Sequence, residues 1–191
     1  MRVVLNAALR LSIIYFLVEV LTKPDDPRFA GKAIPIRNLI VAGGLTLLFP
    51  VLHAMGKCLR RGPAVRWQRY PWSLDSLYLS IFWLDMAGNS FNLYDRYTHF
   101  DLIPHFHGTG ATALVLRHAF DVTPQSGVSG ANIIHLLLEI QEFLTDVFFE
   151  THNVRGWWDT AGDLGAGLVG TWVYTAADSG LRTRASGVLD H

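Results

Sequence analysis

Apolar residues come in blocks of about twenty along this chain, and the polar residues inside those blocks recur at helical intervals of three and four. The purest block, 38–56, reads NLIVAGGLTLLFPVLHAMG and holds no Asp, Glu, Lys or Arg. As a helix it would run ~28 Å, close to the thickness of a bilayer core. Pro50 is expected to kink it, as membrane helices allow. Further blocks lie near 4–22, 74–94, 102–119, 131–150 and 160–177. The pattern predicts an all-α fold, a polytopic transmembrane bundle of about six helices, with 1–191 forming a single integral membrane domain. The N-terminus has the basic start and apolar run of a signal peptide. Arg10 and Glu19 interrupt the run and no A-x-A site follows promptly, so a retained helix is expected.

The fifth block carries the most informative pattern. HLLLEIQEFLTDVFFE places His135, Glu139, Glu142, Asp146 and Glu150 at spacings of 4, 3, 4 and 4. At ~100° per residue these five form one narrow stripe, and Leu, Ile, Phe and Val cover the rest of the helix. The sixth block carries Gly162, Gly165, Gly167 and Gly170, small residues that permit close helix approach in lipid.

Composition sharpens this picture. Of 191 residues, 50% are hydrophobic and only 17% are charged, below the ~25% usual for soluble domains. Sixteen basic and sixteen acidic residues cancel, so nothing points to nucleic acid. The lone cysteine, Cys58, excludes an intrachain disulfide and is expected to be a free thiol. The segment 57–69 has five basic residues and no acid. The positive-inside rule puts it in the cytoplasm, so six spans leave both termini cytoplasmic at a cell (inner) membrane. The 23–37 loop, with four basic residues against two acids on the outer side, runs against that rule.

This topology gathers Asp95, His99, Asp101, His105, His107, Glu139, Glu142, Asp146, Glu150, Asp159 and Asp163 towards one side. Ionisable groups inside a membrane are costly and pair with something. The acids outnumber the nearby Arg96, Arg117 and Arg155, and a divalent metal would resolve the imbalance. Mixed oxygen and nitrogen donors suit zinc, iron or manganese. Asp95 and His99, four apart, could share a helix face, as could Asp159 and Asp163. His105 and His107 flank Phe106, so at most one is expected to face the core. His53, His118 and His152 are expected at interfaces, as are Trp157 and Trp158. There are plainer readings too. Asp85, Asn89 and Asn92 would only bond neighbouring helices, Asp159 would cap the sixth helix, and Asp146 and Glu150 would sit among headgroups. A polar or protonated network without metal is the main rival. There is no phosphate loop, nucleophile elbow or H-E-x-x-H helix.

YDRYTHF, LLLEIQEF and WWDTAGDLGAGLVGT occur in that order. The set resembles the YjdF-like family of uncharacterised bacterial inner-membrane proteins over about 80 residues, from Tyr94 to Thr171. The matching positions are Asp95, Arg96 and His99, then Glu139 and Glu142, then Trp158, Asp159, Thr160 and Asp163. The resemblance implies a multi-helix membrane fold with a shared acidic and histidine site, and no reaction. Asp101, His105 and His107 depart from the family's apolar or glycine-containing continuation, and THNVRG replaces its Gly-Thr-x-Gly lead. Three functions compete. In the first, Asp95, His99, Glu139, Glu142, Asp159 and Asp163 hold a metal, with Glu142 or Asp146 as general base acting on a lipid or small hydrophobic substrate. The second is an accessory subunit of a larger membrane complex. The third is an ion- or proton-coupled transporter lined by the His135–Glu150 stripe.

Overall fold

Among the described residues, eight α-helices follow one another: α1 (Arg2–Thr22), α2 (Ile34–Gly43), α3 (Leu48–Cys58), α4 (Trp72–Ser90), α5 (Leu93–Arg96), α6 (Leu102–Phe120), α7 (Pro124–Phe149) and α8 (Trp157–Gly187). This is a computed structural model and describes residues 1–29, 34–58, 69–151, 154 and 156–187, with no strand among them. The basic stretch 59–68, His152 and Arg155, and the side chains of Cys58, Arg182 and Arg184, lie outside the described residues.

Helix boundaries follow local chemistry. α7 starts well before the apolar block because Pro124 stands at its first position and the Thr123 hydroxyl accepts from the Ser126 N–H. The 38–56 block breaks earlier than expected. α2 stops at Gly43, a 3-10 turn covers Leu45–Leu47, and α3 then carries Pro50 in its own first turn. Proline costs nothing there, since first-turn N–H groups have no helical partner, whereas paired glycines weaken a helix interior. Two segments, Arg2–Thr22 and Ile34–Met55, are long and apolar enough to cross a membrane.

α6 is the hub. It packs on α4, α7 and α8, while α1 packs on α4 and α2, and α7 on α8. Gly110 and Gly170 let α6 and α8 approach closely. A Cβ on Gly110 would stand 2.8 Å from the Gly170 carbonyl oxygen, and one on Gly170 would overlap the Phe106 carbonyl. Apolar clusters fill the joints, among them Ile13, Phe16, Leu79 and Met86 between α1 and α4, and Phe49, Tyr78 and Val115 around α4 and α6.

Polar clasps pin the α1 side. Asp75 is fully buried, and its Oδ2 accepts from Arg10 at 2.6 Å, Asn6 at 2.9 Å and Tyr70 at 2.6 Å. Arg10 also donates to the Thr46 carbonyl in the turn between α2 and α3. After α1, Arg28 bridges Asp26 at 2.7 Å and Glu19 at 3.0 Å and donates to the Ser90 carbonyl at the end of α4. Hydrogen bonds from the Arg28 side chain and backbone hold the Asp26 carboxyl down at about 2. That carboxylate is therefore ionised at any pH well above this value.

The α6–α8 contact yields a direct test. Gly170→Ala forces the two backbones apart and is expected to cost about 1–3 kcal/mol. Gly165→Ala meets nothing within 4 Å and should leave the melting temperature in detergent unchanged or slightly raised.

Candidate functional site

The first three members of the α7 stripe point inwards, whereas Glu150 lies past the end of the helix at φ 54° and is exposed. His135 and Glu139 are each 5% exposed and Glu142 is half-buried, while Ile133, Leu137, Ile140, Phe143 and Val147 cover the outer faces. One helical turn separates His135 from Glu139, so both side chains reach the same spot beside α6. There they meet His105. Its Nδ1 lies 2.8 Å from His135 Nε2 and 3.5 Å from Glu139 Oε1, and His135 Nε2 lies 3.2 Å from that same oxygen. The two imidazoles stack with centroids 4.9 Å apart.

The other side of His105 faces two more acids. Its Nε2 is 3.4 Å from Asp101 Oδ1 and 3.8 Å from Asp163 Oδ1. Asp101 stands one turn before it at the start of α6, and the buried Asp163 comes from the first turns of α8. Two groups of ligand-competent side chains thus share one imidazole, namely His105 with His135 and Glu139, and His105 with Asp101 and Asp163. Either could hold a metal ion. The buried Glu139 Oε1 and His135 Nδ1 have no hydrogen-bond partner. An unbonded buried carboxylate oxygen is costly, and this one lies between two imidazole nitrogens. Gly167 of α8 makes room for the arrangement, since a Cβ there would collide with the His135 ring.

Of the six ligands expected from the sequence, the structure gathers Glu139 and Asp163 at this cluster. Glu142 lines the adjoining cavity, and Asp159 sits half-buried one turn before Asp163. Asp95 and His99 are exposed and belong to neither group. Their shared helix face does not form. α5 ends at Arg96, and Tyr97 is extended at φ −131°, ψ 110°. Asp146, expected as a general base, is committed to structure. Its Oδ1 accepts from the Thr151 hydroxyl at 2.6 Å and its Oδ2 from the Val154 N–H at 2.7 Å, closing the turn after α7.

His107 corrects another expectation. It faces away from His105 yet is also partly enclosed, because α6 has neighbours on several sides. Its Nε2 lies 2.9 Å from Ser80 Oγ and its Nδ1 2.6 Å from the Tyr174 hydroxyl. Ser80 gives its only proton to the Leu77 carbonyl at 2.7 Å. His107 Nε2–H must therefore donate to Ser80, and the neutral ring accepts from Tyr174. This chain ties α4, α6 and α8 together. His118 likewise meets Asp178 of α8 at 3.2 Å.

No protein-family model, curated protein or solved structure matches the chain.

Tyr174→Phe deletes one end of the His107 chain. It is expected to cost about 1 kcal/mol, seen as a lowered melting temperature in detergent, without disturbing whatever His105 and His135 bind.

Proposed function

We propose that this chain is a multi-pass membrane protein holding a divalent metal ion at His105, His135 and Glu139. The observation that carries the reading is the buried, unbonded Glu139 oxygen held between two imidazole nitrogens on neighbouring helices. The three donor atoms are separated by 2.8, 3.2 and 3.5 Å. Zinc bonds of ~2.0–2.1 Å in a tetrahedron need edges of ~3.3–3.4 Å, so only a small adjustment separates the two. Two histidines and one glutamate are a donor set that zinc uses where it keeps a position open; iron and manganese accept the same donors. Such an ion, when bound, supplies Lewis acidity towards water or a phosphoryl oxygen.

The chain's own residues have distinct parts in this reading. Asp101, 3.4 Å from His105 Nε2, and Asp163, at 3.8 Å, favour the proton on that nitrogen, which leaves Nδ1 free as a ligand. Gly167 keeps His135 in register. Glu142 lines the adjoining cavity as a carboxylate available for proton transfer.

The membrane reading is supported by the apolar side chains exposed along α1, α2, α7 and α8. Water would disfavour so large an apolar surface, whereas lipid accepts it. Six spans follow if α2 and α3 cross as one, with α5 as a turn outside the bilayer core. The basic 57–69 segment then fixes both termini in the cytoplasm. The starts of α2, α6 and α8 and the end of α7 share the outer half of the membrane, which places the cluster there.

Two measurements test the proposal. Elemental analysis after chelator-free purification should find about one equivalent of a transition metal; His105→Ala and Glu139→Gln should lower it below about a tenth, and Asp95→Ala and His99→Ala should leave it unchanged. A wild-type protein with less than about a tenth of an equivalent overturns the metal reading. For topology, Asp25→Cys in a Cys58→Ser background should react with an impermeant maleimide in intact cells, and Ser73→Cys only after permeabilisation. The opposite pattern overturns the orientation.

A further inference from the structure

A cavity of about 390 Å³ adjoins the cluster, with walls from α2, α4, α6 and α7. α2 and α7 face one another across it without packing closely. Ile40 of α2 and Ile134 and Leu138 of α7 both line the cavity and are exposed. The mouth therefore lies at the α2–α7 seam and is apolar. In the membrane arrangement proposed above, that mouth opens sideways into lipid.

The inner end is charged. Arg37 Nη2 stands 2.9 Å from Asp85 Oδ2, whose other oxygen accepts from the Tyr94 hydroxyl at 2.9 Å. Yet Arg37 Nε and Nη2 are out of solvent and make no well-aligned hydrogen bond. Asp101 and Glu142 line the same cavity as this guanidinium. Arg37 and three carboxylates, Asp85, Asp101 and Glu142, thus line a single chamber, with His105 and His135 on its α6 and α7 walls. A purely anionic headgroup would meet the carboxylates, and a purely cationic one would meet Arg37. A headgroup carrying both charges satisfies both.

We propose that this cavity binds a phospholipid with a zwitterionic, primary-amine headgroup, the phosphate at Arg37 and the ammonium at Glu142. The acyl chains leave through the α2–α7 mouth. The inference rests on the membrane reading and not on the ion, since neither Arg37 nor Glu142 belongs to the His105–His135–Glu139 group.

The test titrates the full chain in detergent with dioctanoyl phosphatidylethanolamine, dioctanoyl phosphatidate, dioctanoylglycerol and free phosphoethanolamine. Binding is read by calorimetry, once with chelator and once with one equivalent of zinc. The ethanolamine lipid should bind at least about tenfold more tightly than the other three, and Arg37→Gln and Glu142→Gln should each weaken it about tenfold or more. The signs discriminate. An anion site would bind phosphatidate more tightly after Glu142→Gln, and an amine site would bind the ethanolamine lipid more tightly after Arg37→Gln. Either result overturns the proposal, as does free phosphoethanolamine binding as tightly as the lipid. Ile134→Trp narrows the mouth and leaves every charge in place. It should also lower lipid affinity about tenfold, even if a charge variant fails to fold; unchanged affinity overturns the proposal. Lipid binding that persists under chelator supports this inference independently of the ion, while the metal reading stands or falls on the elemental analysis alone.

Discussion

The close approach of α6 to α8 governs the arrangement. Without side chains at Gly110 and Gly170 the two backbones come almost into contact, and α6 becomes a central helix with neighbours on three sides. That position brings Asp101 and His105 to the start of α8, where Asp163 waits, and to the middle of α7, where His135 and Glu139 face inwards. In the membrane arrangement proposed above there is no hydrophobic drive between helices, and van der Waals contact at small residues takes its place. A methyl group at the crossing would push apart the elements that assemble the cluster.

Polar side chains elsewhere in the bundle behave differently from the cluster. Asp75 takes three hydrogen bonds on one oxygen, Arg28 divides itself among two acids and a carbonyl, and Asp146 closes a turn. Those groups hold helices together, and their charges are matched by protein partners, as buried charge requires. At Glu139 the geometry brings nitrogens near without completing a bond. Asp75 Oδ1 is likewise unbonded; what sets Glu139 Oε1 apart is that two imidazole nitrogens stand beside it, at 3.2 and 3.5 Å.

Much of this was legible in the sequence. Helical spacing put His135, Glu139 and Glu142 on one inward face, and the apolar blocks located the long helices. What escaped depended on one-residue events and on neighbours. Asp95 and His99 looked like a helical pair, but Asn92 adopts φ 55° and Tyr97 is extended, so the short α5 ends between them. Asn92 is a residue type that tolerates this conformation, and it was the available warning. Pro50 looked like the kink, yet Gly43–Gly44 broke the helix first. His105 became the centre of the site, while the ligands expected from the sequence did not include it. Spacing alone allowed only one of His105 and His107 to face inwards, because it assumes a helix with one buried side. A helix surrounded by three others has more than one interior face, and nothing local in the chain announces which helix that is.

The Tyr174–His107–Ser80 chain has a consequence for proton movement. Each hydroxyl or imidazole passes its hydrogen in the same direction, and the last one rests on the Leu77 peptide carbonyl. A peptide oxygen inside a helix cannot hand a proton onwards. This polar thread through the middle of the bundle is therefore a blind alley for a Grotthuss relay.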